Sequence, residues 1–156
     1  MKYILLAAAV TLSVAACKTS DKKADKPGAD TATQLTPEQI EKAGKDSANF
    51  TTIEWIDSTT RNLGNLNLNE EIEVTFRFRN SGNKVLVVQK VSAGCGCTIP
   101  EQLTRPYAPG EEGIVKAKYN GTGHDVVIKQ IMVEANTTPE KVHTLTFTGT
   151  LIEKKK

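Results

Sequence analysis

Ile72, Val74, Phe76 and Phe78 alternate with Glu71, Glu73, Thr75, Arg77 and Arg79 at a strict period of two. Side chains of a strand point to opposite faces in turn, so this stretch predicts a sheet with one face in a core and the other in water. In a helix the same spacing would scatter the apolar groups around the axis. Asn80-Ser81-Gly82-Asn83 then reads as a turn, with Gly82 available for positive φ. Lys84 to Val91, dense in Val85, Leu86, Val87, Val88 and Val91, predicts a strand covered on both faces or pressed against a bulge, in the middle of a sandwich. Pro109-Gly110 marks a turn ahead of a strand at 113–119, and Gly121 and Gly123 bracket another turn, read as a hairpin connection. Strands at 126–135 and 142–152 follow, the last with Leu145, Phe147 and Leu151 on one face and Thr144, Thr146, Thr148 and Thr150 on a solvated face. Thr51 to Asp57 is a first strand, where Trp55, the only Trp, reads as core beside Ile53. Six or seven short strands with no helical stretch between them predict an all-β fold, an immunoglobulin-like antiparallel sandwich of about seven strands over residues 49–153.

The residues ahead of it carry an address. Lys2, the apolar run Ile4 to Leu12 and the small-residue box Val14-Ala15-Ala16-Cys17 form an export signal over 1–16, and the run is too short to span a bilayer. Bacterial lipoproteins carry a lipidated cysteine at this place, and the resemblance implies the same for Cys17, although an ordinary signal peptide cut near Ala16 is the alternative. Several acyl chains would anchor the chain to the cell envelope without crossing it. By the sorting pattern of Gram-negative lipoproteins, Lys18 implies the outer membrane, facing the periplasm or the surface. Residues 17–48 are too poor in large apolar groups to fold alone and read as a flexible linker. Within it Thr36, Pro37 and Gln39 make a capping box that predicts one or two helical turns. Lys154 to Lys156 form a basic tail, read as a solvated terminus.

The fold's motifs also carry a family resemblance. Phe76, Phe78, Asn80 and Gly82 in the pattern F-x-F-x-N-x-G, then Cys95-Gly96-Cys97-Thr98, then Pro109-Gly110-Glu111 and the segment Lys129 to Asn136 resemble, in this order, the bacterial domain DUF1573. That family is related to the Ig-like domains of the major sperm protein and Hydin type, and the resemblance spans about 54 to 151. It implies an Ig-like fold and an exported, often lipid-anchored setting, with no established reaction.

Cys95-Gly96-Cys97 is the sharpest chemical constellation. Residues two apart on an extended segment share a face, and two exported thiols seldom stay free. A disulfide between them is strained at full extension, where the Cα atoms lie about 7 Å apart, and needs a kink that Gly96 could provide. The pair therefore reads as structural, as a thiol–disulfide site, or as a copper or zinc site. If Gly96 has positive φ, Gly96→Ala should cost about 1 kcal/mol or more, with the larger penalty in the oxidised form, whereas negligible penalties in both forms would remove the structural basis of the redox reading. A metal needs further ligands, and the chain offers His124, in a turn, His143, in phase with Leu145, and Met132. No G-x-S-x-G, H-E-x-x-H or phosphate loop is present, and no cofactor is expected. Paired acids Glu70-Glu71 and Glu111-Glu112 sit at strand entries as solvated charge. With 156 residues, 20 Lys and Arg against 18 Asp and Glu, and a net charge of +2, neither a large enzyme nor a nucleic-acid surface is expected. The expected function is a non-enzymatic, lipid-anchored envelope module that binds a protein partner or serves a structural role, with thiol-redox or copper/zinc handling through Cys95 and Cys97 as the alternative.

Overall fold

A computed structural model describes residues 34–153. The leader 1–16, Cys17 and the tail 154–156 lie outside the described residues, as does most of the linker. Helix α1 (Pro37–Lys45) leads into a short turn and eight strands: β1 (Ile53–Trp55), β2 (Thr60–Asn67), β3 (Ile72–Asn80), β4 (Val88–Ala93), β5 (Thr98–Pro100), β6 (Glu112–Tyr119), β7 (Val126–Ala135) and β8 (Val142–Ile152). They form two four-stranded sheets, ordered β1-β3-β6-β5 and β2-β8-β7-β4. The immunoglobulin-like sandwich is therefore present, with one ladder of the other sense: β2 runs parallel to β8.

The alternation at 72–79 does what it predicts. Val74, Phe76 and Phe78 are buried on the inner face of β3, against Val115, Ala117 and Tyr119 of β6. Leu145 and Phe147 of β8, with Ile131 and Val133 of β7, close the core from the other sheet. Phe78 meets Trp55 and Tyr107 edge-on at 5.7 and 5.0 Å, and each fully buried aromatic ring contributes about 2–3 kcal/mol of transfer free energy.

Three expectations need correction. The run Val85 to Val91 does not lie in the middle of the sandwich, because β4 is an edge strand. Consecutive burial there arises because the chain crosses between sheets: Leu86 bridges Tyr107, whereas Val88 pairs with Ala135, and the ladder is irregular between Val88 and Lys90. Asn120 to Asp125 is not a hairpin connection either, since it joins β6 of one sheet to β7 of the other. Gly121 is required there on two counts, φ +72 and a virtual Cβ 2.5 Å from the Glu70 carbonyl. Gly82, by contrast, lies outside the positive-φ set; a Cβ there would fall 2.0 Å from Thr51 Oγ1 and 2.7 Å from the Thr52 backbone nitrogen, so close approach makes it glycine.

The helix is longer than one or two turns. Both halves of the capping box form, with Thr36 Oγ1 accepting from Gln39 N–H at 3.3 Å and Gln39 Oε1 accepting from Thr36 N–H at 2.8 Å. Nine residues follow, and Gly44 is buried where the Gln89 side chain of β4 occupies its Cβ position. Thus α1 packs over the β4 edge. The same edge is closed by Gln102, whose amide accepts from Val91 N–H at 3.0 Å and donates to Val91 C=O at 2.6 Å, standing in for a neighbouring strand.

Two asparagines knit the loops at the end where the chain enters. Asn80, fully buried, donates to the carbonyls of Lys84 and Tyr107 at 2.7 and 2.9 Å, while its Oδ1 accepts from Thr51 Oγ1 at 3.0 Å and Gly82 N–H at 3.2 Å. Asn136 donates to the carbonyls of Asn49 and Val85 and accepts from Val87 N–H at 2.7 Å. Pro109-Gly110-Glu111 joins this cluster: Gly110, at φ +81, donates to Asn80 C=O at 2.8 Å, and Glu111 receives Ala108 N–H at 2.8 Å and the Arg105 guanidinium. Burial pushes the Glu111 carboxyl up, but Arg105 and the Ala108 N–H outweigh it and hold it below its ordinary value.

Candidate functional site

The opposite end of the sandwich carries Cys95 and Cys97 on the connector from β4 to β5. Thr98 N–H donates to Cys95 C=O at 3.3 Å, so residues 95–98 form a turn, and the two Cα atoms lie 5.3 Å apart with their sulfurs bonded. The expected kink is thus present, but Gly96 does not supply it through positive φ: it lies outside the positive-φ set, and a Cβ there would meet nothing within 4 Å. Gly96→Ala is accordingly expected to change stability by less than about 0.5 kcal/mol in either redox state, as read by denaturant melts. Since the turn and not the glycine's φ brings the sulfurs together, that neutrality leaves the bridge intact. Asn120 N–H donates to Cys97 C=O at 3.1 Å, and Asn69 N–H donates to Gly121 C=O at 3.0 Å, so three connectors are stitched together at this end.

Thr98, which sequence reasoning left without a role, is 3% exposed, and its hydroxyl oxygen lies 3.9 Å from Cys95 Sγ and 4.0 Å from Cys97 Sγ. Bonded sulfurs carry no hydrogen, so only the hydroxyl can donate. Cys97 packs against the core; Cys95 lines a shallow recess of about 390 Å³ with Gly94, Ile128, Lys129 and Gln130.

The four-ligand metal constellation is not assembled. His143 pairs with Val133 near one end of β7, whereas His124 precedes Val126 at the other, seven rungs or about 24 Å along the ladder. Both cysteines are committed to their bond. Met132 stands on the outer face of β7, across the ladder from Thr144 and Ser92. Among the described residues, no group of three or more His, Cys, Asp or Glu is placed to hold a metal.

His143 is half-buried against Trp55, at 5.9 Å between ring centroids. The Thr137 hydroxyl gives its hydrogen to Glu140 C=O at 2.5 Å and so accepts from His143 Nε2 at 2.8 Å, which fixes the neutral Nε2–H tautomer. Burial holds the His143 pKa below the ordinary 6.5, against the pull of Glu140. A depressed native pKa means the unfolded chain binds more protons, so this contribution is full above 6.5 and is lost as pH falls through the native value. Stability should therefore decline as pH falls below about 6.5, and His143→Gln should flatten that decline. Trp55 fluorescence in denaturant titrations reads both.

The outer faces of the two sheets differ in kind. On β1-β3-β6-β5 the outward residues include Glu54, Glu73, Arg77, Arg79, Glu112, Lys116 and Lys118, and Arg79–Glu112 and Lys118–Glu71 pair at 2.5 and 3.1 Å. These are exposed pairs and hold little stability, so the face is a solvated one. Arg77 also grips Asp57 at 2.9 Å, which draws that carboxyl below its ordinary value. On β2-β8-β7-β4 the outward set is Thr60, Asn62, Asn65 and Asn67 on β2, Thr144 to Thr150 on alternate positions of β8, and Val126, Ile128, Gln130 and Met132 on β7. Beyond the rung Lys90–Glu134 at one corner, the named outward residues of this face carry no charge, and Val126 and Ile128 are each 65% exposed.

Comparison with family models places residues 53–151 in a family described as protein of unknown function, DUF1573. The chain belongs to the DUF1573 family. A search of curated proteins finds no match. Among solved structures, a protein of unknown function from Porphyromonas gingivalis W83 is similar at 16% identity and TM-score 0.59, over 68% of this chain and 49% of that one. The ASH/PapD-like domain 7 of human CEP192 is similar at 14% identity and TM-score 0.51, over 69% and 89%. The secreted serine protease VesC from Vibrio cholerae is similar at 14% and 0.52, over 68% and 24%. The chain spans about half of the first of these proteins and about a quarter of the third. At such identities the likeness carries the two-sheet fold alone. For DUF1573 this gives the motif residues a division of labour: Asn80, Gly82, Gly110 and Glu111 hold one end of the sandwich together, and the Cys95–Thr98 turn occupies the other.

Proposed function

We propose that this DUF1573 protein is a non-enzymatic module, exported and held to the cell envelope by lipid on Cys17, that binds another envelope protein through the outer face of β2-β8-β7-β4. The observation that carries the reading is the contrast between the two sheet faces. In a chain that is 24% charged, one face sets exposed Ile99 and Ile114 among ion pairs, while the other presents Val126 and Ile128 among hydroxyls and amides, so it is the charge that separates the two. Depletion of charge beside an exposed apolar patch is a compositional mark of interfaces, here at the end of the face where β7 begins, and the partner fitted to it presents an uncharged, mixed apolar and hydroxyl surface. The lipoprotein-type leader supports the envelope setting, and no helix among the described residues is long and apolar enough to cross a membrane. A linker of polar residues would give such a module reach from the lipid surface.

The test is photocrosslinking in the native cell, with the crosslinker at Ile128 or, as control, at Lys116 on the charged face. A discrete protein adduct from position 128 that is missing from position 116 is the expected result. An uncrosslinked monomer from both positions would overturn the docking face. Lipidation is read separately, by intact mass of the exported protein and by release of the Cys17→Ser chain from membranes.

A further inference from the structure

The motif residues at the entry end are accounted for by packing; the Cys95–Cys97 bridge is not. It spans one residue, so it closes a very small loop and removes little chain entropy, within a connector already held by Thr98 N–H to Cys95 C=O and Asn120 N–H to Cys97 C=O. Gly94 and Gly96, on either side of Cys95, place no side chain over its sulfur, and a Cβ at either would meet nothing within 4 Å. The recess beside Cys95 is lined by Ile128, Lys129 and Gln130 as well as Gly94. The buried Thr98 hydroxyl lies within 4.0 Å of both sulfurs. Access to one sulfur, and a donor near enough to ease the departing thiolate, both favour thiol–disulfide exchange.

We propose that Cys95–Cys97 is an exchange site that captures the cysteine thiol of a polypeptide whose neighbouring apolar side chain seats against Ile128. The incoming thiolate attacks Cys95 Sγ, forming a mixed disulfide, and the Cys95–Cys97 bond breaks with its electron pair leaving on Cys97 Sγ. The Thr98 hydroxyl donates to that new thiolate, which then takes a proton from solvent. A second thiol of the same partner, attacking its own sulfur in the mixed disulfide, releases Cys95 as a thiol. The partner dithiol is thereby oxidised to a disulfide and the Cys95–Cys97 pair reduced to two thiols, two electrons passing in all. The exchange is stoichiometric, and Thr98 is a positioning residue. This goes beyond the docking reading: it shares Ile128 with that face, but the exchange step itself needs neither the lipid nor the docked partner.

The test uses the full chain carrying Cys17→Ser, so that Cys95 and Cys97 are its only cysteines. In the added Cys97→Ser background, Cys95 should take a glutathionyl group from oxidised glutathione at least about tenfold faster than Cys97 does in the Cys95→Ser background. With the bridge intact, Thr98→Val should slow its reduction by reduced glutathione about tenfold, while Thr98→Ser stays within about twofold and melts like the parent. Equal uptake at the two cysteines, a Thr98→Val rate equal to the parent's, or a bridge that excess glutathione leaves oxidised would each overturn the proposal. The crosslinking result at Ile128 does not enter these outcomes.

Discussion

Asn80→Ala is expected to lower stability by about 3–5 kcal/mol. The substitution removes a side chain that satisfies four groups at once: two carbonyls, of Lys84 and Tyr107, the Thr51 hydroxyl and the Gly82 N–H. Asn80 is 0% exposed, so most of the stranded groups gain no water, and each buried group left without a partner costs about 1–3 kcal/mol. A domain of this size has about 5–15 kcal/mol in all. Denaturant unfolding followed by Trp55 fluorescence should show the lower midpoint with an unchanged slope. Asn80→Asp keeps the shape but turns one carboxylate oxygen toward the two carbonyls that the amide nitrogen served, and it should be no less damaging.

Asn136→Ala should cost about 3 kcal/mol by the same mechanism and add a local signature. Its side chain holds the carbonyls of Asn49 and Val85 and the Val87 N–H, and its own carbonyl receives Thr51 N–H at 3.0 Å. Loss of the three side-chain bonds, with the backbone bond from Thr51 N–H kept, should loosen Asn49 and the crossing 85–87, visible as faster amide exchange there before any global change. The two side chains hold adjacent carbonyls of the crossing, Asn80 that of Lys84 and Asn136 that of Val85. The double variant should therefore fall short of the sum of the singles. Additivity would show that the two hubs act independently.

The parts of the fold legible in the sequence were those governed by local periodicity. Strands β3, β7 and β8 alternate cleanly and point where alternation says. Strand β2 hid because its ladder is irregular between Asn62 and Asn65, with Gly64 at φ +69, so its inward residues Leu63 and Leu66 are three apart instead of two. Strand β5 is only three residues long, and nothing in so short a stretch separates strand from loop. The capping box announced where α1 begins, but its packing depends on Gln89 of a distant strand. The site divides in the same way. Cys95 and Cys97 stood out by type and spacing, whereas Thr98 matters only because a turn folds its hydroxyl near both sulfurs. The Thr column of β8 was visible as a wet face, but the charge contrast between sheets needed the strand order.

The sheet order also constrains the birth of the protein. Strand β8, the last of the described strands in chain order, lies between β2 and β7 in the finished sheet, so β2 waits for a neighbour until residues 142–152 arrive. A nascent chain stopped short of Val142 exposes both flanks of that gap, along with the apolar inner faces of Leu66, Ile131 and Val133. Folding thus cannot proceed strand by strand from the amino end; it awaits the closing segment.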